Sequence, residues 1–394
     1  MHSLPSILFI NSPMEVLFII RKFKSHSFVP GMTLVVVLML LAISLTGCVG
    51  NDTEENTQSE IETISITDMA GRNVEVPKNV DRVVAVGAGA LRQVVYLGAV
   101  DKVVGVEQYE FDDPQAPYSI AYQDEISDLP GVGPNHGGDS ELIAATNPDV
   151  IFFSGISGDV SDAANLQKKT GIPVIYVYIG DLYVERDKLY ETWGLYGEVL
   201  GEEERADELI EYTEGMLEDF DVITQDIPED EIASAYAGGT SHRGSHGIRA
   251  TKYPFPSFEF LNVDNVIEGV DYEVSTSMNV NRENLLAWNP EVIFIDMGNL
   301  GLVTQDIKDN PSYLDMKAFK EDNVYGIYPT SSYHRNIDNV LINTYYIGSV
   351  LYPEKFDGDI ATKADEIYEV FLGKPVYEEM QGVVGSYGKL NFEE

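Results

Sequence analysis

Basic residues are scarce in this chain of 394 residues. Lys and Arg number 25 against 65 Asp and Glu, a formal net charge of −40. Such acidity excludes a nucleic-acid partner, whose phosphates would repel it. It suits a basic partner surface or a cationic ligand. Cysteine is nearly absent, Cys48 being the single one. No intrachain disulfide can form, so stability rests on packing, and a cysteine-based zinc or iron–sulfur site within one chain is excluded. Catalytic signatures are missing too: there is no G-x-S-x-G elbow, no Walker A loop and no H-E-x-x-H. Gly239-Thr240-Ser241-His242 has the wrong spacing for the elbow. Gly87-Ala88-Gly89 is not the dinucleotide fingerprint, because Arg92 stands where the third glycine belongs. The chain reads as a binding protein and not as an enzyme.

What is present is a repeat. Glu141-Leu142-Ile143-Ala144-Ala145-Thr146-Asn147-Pro148-Asp149-Val150-Ile151-Phe152 returns as Glu283-Asn284-Leu285-Leu286-Ala287-Trp288-Asn289-Pro290-Glu291-Val292-Ile293-Phe294. Each copy reads as a short helix opened by a glutamate, an Asn-Pro stop, an acidic residue and a buried strand. Two copies matching in length and in these features indicate a duplicated lobe. Hydrophobic content of 44% supplies ordinary cores, and the length suggests two or three structural units.

Residues 1–47 read as a leader. A basic cluster, Arg21, Lys22 and Lys24, precedes an apolar run from Met32 to Leu45. Leu45-Thr46-Gly47-Cys48 then resembles the lipobox of secreted lipoproteins, in which cleavage leaves the cysteine lipidated at the mature N-terminus. The alternative is a permanent N-terminal anchor, and either tethers the protein outside the cell membrane. Residues 48–60 are the lipidated cysteine and a polar, flexible tether.

Residues 61–181 form a first α/β lobe. A hairpin, Ile64–Thr67 with Asn73–Val76, turns at Ala70-Gly71-Arg72. Strands are expected at Arg82–Val86, Val103–Val106, Val150–Phe153 and Val174–Val177, with a helix over Ser161–Lys169. The long loop 107–139, rich in Tyr, Asp, Pro and Gly, is of a length that is usually functional. Residues 182–227 are the connecting segment, read as one long helix or two abutting near Gly201, a stiff strut between halves. Residues 228–394 form the second lobe, with strands at Ile232–Tyr236, Val292–Ile295 and Val324–Ile327 and helices over Asn339–Leu351 and Ala361–Leu372. The tail 375–394 is weakly patterned. Strands alternating with helices indicate parallel sheets covered on both faces. The fold class is thus α/β, two doubly wound lobes joined by one long rigid helix.

The opening ITDMAGRNVEVPKNVDRVVAV, the two repeat segments, the helical strut and the closing NTYYIGSVLYPEKF together resemble ABC-importer substrate-binding lipoproteins of the cobalamin and iron-siderophore class, over roughly residues 61–372. The resemblance implies a bilobal receptor that opens and closes little, with its ligand between the lobes. It implies a permease dimer with its ATPase as partner, a monomeric state, and docking of Glu141 and Glu283 onto basic permease pockets. A glutamate in a first helical turn is favoured by the helix dipole and stays exposed, in keeping with that role. No intrinsic cofactor is implied; the transported ligand is a metal complex, namely an iron siderophore, haem or a corrinoid. Direct capture of a metal ion is the alternative.

Ligands of doubly wound lobes meet the loops after the carboxyl ends of strands. His136, His242, His246 and His334 all fall in such loops and are the candidate metal ligands. Arg243, Arg249 and Arg335 add charge for carboxylates, and Tyr118, Tyr253 and Tyr333 add aromatic surface. Tyr109 and Tyr122 read as loop packing.

Overall fold

The computed structural model describes residues 62–112, 115–156, 158–240, 247–267 and 276–392. Cys48, His242, Arg243 and His246 lie outside the described residues. Residues 61–394 form one compact unit. None of its described helices is long and apolar enough to cross a membrane.

The first sheet is built from β3 (Val83–Val86), β4 (Val103–Gly105), β5 (Val150–Ser154) and β6 (Val174–Val177), in the order β4-β3-β5-β6 and all parallel. β3 and β5 are buried along their whole length. That matches their unbroken β-branched and aromatic runs, the mark of strands covered on both faces. The small hairpin β1 (Thr63–Thr67) and β2 (Asn73–Pro77) stands apart as its own antiparallel pair.

The second sheet contains β7 (Ser234–Gly238), β9 (Asp264–Asn265), β11 (Val292–Asp296), β12 (Val324–Ile327) and β13 (Gly388–Lys389), in the order β13-β12-β11-β7-β9. Only β13 is antiparallel to its neighbour. Leaving β13 aside, the strand order repeats the first sheet: β7 corresponds to β3, β9 to β4, β11 to β5 and β12 to β6. The duplication read from twelve residues therefore extends to topology. A separate antiparallel pair, β8 (Ala250–Tyr253) with β10 (Thr276–Asn279), belongs to the second half; among the described residues, the first half has no such pair between β3 and β5.

The repeat keeps its local geometry in both lobes. Helix α1 (Ser140–Ala145) is capped by Asp139, which accepts from the amides of Glu141 and Leu142. Helix α2 (Arg282–Trp288) is capped by Asn281, which accepts from the amide of Glu283. Asn147 and Asn289 both end in the left-handed region, φ 48° and 47°, a conformation that Asn tolerates. The acidic residue that follows each Asn-Pro clamps the strand beside it. Asp149 Oδ2 accepts from the amides of Asp81 and Arg82, each at 2.9 Å, and Glu291 Oε2 accepts from the Ser234 amide at 3.2 Å.

The segment 182–227 is not a single strut. Helix α3 (Arg186–Leu200) stops at Gly201, φ 73°, and helix α4 (Glu203–Thr224) turns back along it. Arg186 pairs with Glu214 at 3.6 Å, which fixes the two helices as an antiparallel hairpin. The left-handed glycine causes the reversal: it ends one helix without strain and re-aims the chain. Helix α4, about 33 Å long at 1.5 Å per residue, is the long helix that leads into the second lobe. The chain then returns. Helix α5 (Ile360–Leu372) brings Phe371 against Tyr96 of the first lobe, ring centroids 5.0 Å apart. The tail forms another helix, Tyr377–Val384, before β13.

Candidate functional site

The loops at the carboxyl ends of the two sheets meet between the lobes, and one segment of the second lobe crosses to the first. Residues 331–335 form a tight turn closed by a Ser331–Arg335 bridge. Tyr333 and His334 both take positive φ, 43° and 90°. Two consecutive non-glycine residues in that region carry strain of order 1–3 kcal/mol each, held only by what surrounds them. What surrounds them is the first lobe.

Tyr333 is the centre of the crossing. Its hydroxyl donates to Glu107 Oε2 at 2.8 Å and accepts from the His136 amide at 2.8 Å. Its ring stacks on Tyr109, centroids 4.0 Å apart and 18° between planes. Glu107 is 2% exposed. It also accepts from the amides of Gly87 at 2.8 Å and Gly137 at 2.6 Å. Burial pushes its carboxyl up, against the pull of those bonds. Burial first, then the Glu107 charge, pushes the Tyr333 phenol well up, so it remains a donor.

On either side of Tyr333 the basic groups gather. Arg92, in the helix Ala90–Tyr96, is fully buried and donates from Nη2 to the Ser332 carbonyl at 2.5 Å. Arg335 pairs with Asp181 at 3.3 Å and Glu185 at 3.9 Å, and donates to the Gly180 carbonyl. Lys252, on β8, is pushed down to about 8, by burial first and then by the Arg335 charge. His334 is half-buried and its Nδ1 fully so. Burial, then the charges of Arg335, Arg92 and Lys252, hold its imidazole well below the usual range, so it is neutral. Gly89 makes room for it: at φ 80°, an added Cβ would stand 2.9 Å from the His334 Cβ.

The expected residues divide accordingly. His136, Tyr333, His334 and Arg335 come together at the crossing. Tyr118 does not line it. It is 1% exposed, its hydroxyl donates to Glu110, and the Arg92 guanidinium lies 4.7 Å above its ring. The helical turn Pro117–Ala121 faces it inward, so it supports Arg92 from beneath. Tyr253 packs against the second lobe's own core. Arg249 is exposed and acts on Tyr236, Tyr313 and Glu283, away from the Lys252 group. Among the described residues no group of three or more His, Cys, Asp or Glu is placed to hold a metal ion, so His136 and His334 do not form such a set there. Tyr109, read as loop packing, belongs to the crossing. Glu107, Arg92 and Lys252 were not legible as site residues. The one hint was an arginine inside a largely apolar helix, Ala90–Tyr96.

Residues 83–330 match the family model described as periplasmic binding protein. The chain belongs to that family. The expected resemblance and the expected α/β class with parallel sheets both hold. A relative from Bacillus subtilis (strain 168), the uncharacterized ABC transporter substrate-binding lipoprotein YvrC, is 24% identical over 328 residues, covering 81% of this chain and 96% of its own. The molybdate-binding protein MolA of Haemophilus influenzae is 22% identical over 325 residues, covering 78% and 90%. Its molybdate-bound structure superposes with a TM-score of 0.62 at 20% identity, covering 79% of this chain and 98% of that one. CeuE of Helicobacter pylori, solved with Ni(II) bound, gives a TM-score of 0.56 at 18% identity, covering 82% and 99%. At these identities the solved structures are similar in fold. Family proteins of this kind carry a transported ligand.

Proposed function

We propose that this protein is a lipid-anchored extracytoplasmic receptor that takes an iron complex, a siderophore chelate or haem, between its lobes and delivers it to an ABC permease dimer with its ATPase. Cys48 is the point of lipid attachment. The observation that carries the reading is the pairing of Glu141 and Glu283. Each stands exposed in the first turn of a helix, two residues after an Asp or Asn cap and six before a left-handed Asn, one in each lobe. Neither is needed by the fold, since the caps are made by Asp139 and Asn281. Leu142, 48% exposed beside Glu141, adds an apolar contact to that face. Two such acidic handles suit a two-fold partner with basic pockets. The ligand groups lie elsewhere, at Tyr109, Tyr333, His334 and Arg335. A chelate is favoured over a bare ion because the described residues offer aromatic faces and arginine but no three-ligand metal set.

The test separates cargo from delivery. Binding of ferric chelates, haem, cobalamin and molybdate is measured by calorimetry, and uptake in vesicles carrying the importer. Glu141→Gln with Glu283→Gln is expected to keep affinity and abolish uptake. Wild-type uptake by that variant, or loss of binding, overturns the docking assignment. Binding of molybdate or cobalamin alone overturns the iron reading.

A further inference from the structure

The turn 331–335 belongs to the second lobe by chain order, yet it reaches into the first. Ser332 Oγ and the Tyr109 hydroxyl are hydrogen-bonded at 2.9 Å. Arg335 pairs with Asp181 and Glu185, just beyond the last strand of the first sheet. Tyr333 reaches furthest. Its ring meets two first-lobe rings, Tyr109 stacked at 4.0 Å and His136 tilted by 52° at 5.4 Å. Within its own lobe the turn is closed by backbone bonds, from the Ser332 amide to the His334 carbonyl at 2.9 Å and from the Asn336 amide to the Thr330 carbonyl at 3.0 Å.

The receiving side is built entirely from the first lobe. Two consecutive amides divide the work: that of His136 donates to the Tyr333 oxygen at 2.8 Å, and that of Gly137 to Glu107 Oε1 at 2.6 Å. Glu107 Oε2 takes the Tyr333 proton at 2.8 Å. A phenol offers one O–H donor and acceptor lone pairs on the same oxygen, and both are met here while the ring lies on Tyr109. This is the form of a ligand subsite, and Tyr333 is the ligand in it. Both sides of the contact are strained. Tyr333 and His334 have φ 43° and 90°, and His136 has φ 70°. Such residues persist only where their surroundings hold them, and they cluster at ligand clamps and switches. Here they hold one another, so part of the contact energy is consumed as strain and the seat is easier to vacate than its bonds alone suggest.

We propose that Tyr333 is a tethered plug: its phenol fills, from the second lobe, a first-lobe subsite shaped for an aromatic hydroxyl, in the place that the cargo takes. The plug rests on the reading of the interlobe crossing as the ligand site. It divides the groups gathered there. The cargo meets Tyr333 first and displaces it, and in exchange gains the Tyr109 face, the Glu107 carboxylate and the His136 amide. The apparent affinity is reduced by the fraction of receptor whose plug is out. The stack and the two hydrogen bonds keep that fraction low in the free protein, so a molecule too weak to replace them is refused.

Tyr333→Gly removes the plug from the full chain. Glycine takes φ 43° without strain, so the variant is expected to fold, which circular dichroism checks. The empty subsite is probed with p-cresol, the tyrosine side chain as a free molecule, by saturation-transfer NMR. Cargo affinity is measured by calorimetry with ferric citrate, haem, molybdate and cobalamin. The wild type should exclude p-cresol and the variant should take it. The variant should also bind whichever cargo probe the wild type binds about tenfold more tightly, and p-cresol should compete with that probe. Tyr333→Phe keeps the ring in its seat, so it should exclude p-cresol and gain less cargo affinity than the glycine variant. Should the glycine variant not fold, the phenylalanine variant carries the test, and an affinity equal to or below that of the wild type overturns the plug. The same result for Tyr333→Gly overturns it, since Tyr333 would then not compete with the cargo. Exclusion of p-cresol by Tyr333→Gly, or equal uptake by the wild type, overturns the subsite. If none of the four cargo probes binds either protein, the iron reading fails, and p-cresol alone decides whether Tyr333 fills a subsite.

Discussion

Tyr333→Phe removes one oxygen atom and keeps the ring. The stack on Tyr109 survives, so the change isolates the hydroxyl. Two hydrogen bonds are lost, one to the Glu107 carboxylate and one from the His136 amide. A bond to a charged group is worth about 1.5–3 kcal/mol and a neutral one about 0.5–1.5 kcal/mol. Glu107 keeps its bonds from Gly87 and Gly137 and is not stripped of partners, which favours the lower ends. The expected loss is about 2 kcal/mol near neutral pH. The loss should depend on pH with a definite sign. Burial already raises the Glu107 pKa, and the phenol holds it down. Removing the hydroxyl raises it further, so the destabilisation is fully present above the variant's Glu107 pKa and fades as pH falls through it. Below that range the carboxyl is neutral in both proteins, and the gap should shrink to about 1 kcal/mol. Urea unfolding of both proteins from pH 7.5 down to pH 4 measures the gap. A gap that is constant with pH, or below about 0.5 kcal/mol throughout, refutes the coupling between Tyr333 and Glu107.

Two further perturbations test other parts of the structure. Asp149→Ala should cost about 1–2 kcal/mol, because it frees the two amides that lead into β3; Glu291→Gln, which keeps an acceptor for the Ser234 amide and loses only the half-exposed ion pair to Lys317, should cost under about 1 kcal/mol, and the reverse order in urea midpoints would contradict the clamp. Gly89→Ala forces a Cβ against His334 at φ 80°, and should cost about 1–2 kcal/mol in backbone strain alone. Hydrogen exchange should also quicken at 331–335; unchanged exchange there would mean that Gly89 does not seat the turn.

The strands of both sheets were legible because they are covered on two faces and read as unbroken apolar runs. The repeat was legible because capping and stopping a helix need particular residues at particular places: a glutamate after the cap, and Asn-Pro at the exit. The helical hairpin was only half visible. Gly201 marks the break, but the direction taken afterwards depends on contacts such as Arg186 with Glu214, which carry no local signature. The pair β8 and β10 was hidden because its residues, ATKY and TSMN, are mostly polar and carry no unbroken apolar run, although Ala250 and Thr251 are buried. The crossing was the least legible part. A lone Glu after a strand or a lone Lys in a polar one has no pattern to betray it, and Tyr333 and Glu107 lie 226 residues apart. Tyr118 misled for the opposite reason: an aromatic in a long loop looks available, and only the inward turn of Pro117–Ala121 buries it.

The return of the chain to its starting lobe has a consequence for how the molecule comes apart. One continuous core joins Val83 and Phe152 of the first sheet, Trp193 of the hairpin, Phe294 and Ile327 of the second sheet, and Phe371 of the returning helix. Each lobe keeps a smaller core of its own, but this one is shared by both, so the melting of either lobe opens the packing of the other. The receptor should lose its structure in one step, and occupancy between the lobes should be felt by every part of the fold at once. A cargo bound there acts as a rivet through a single body, and its affinity can be read from the melting temperature as directly as from a titration.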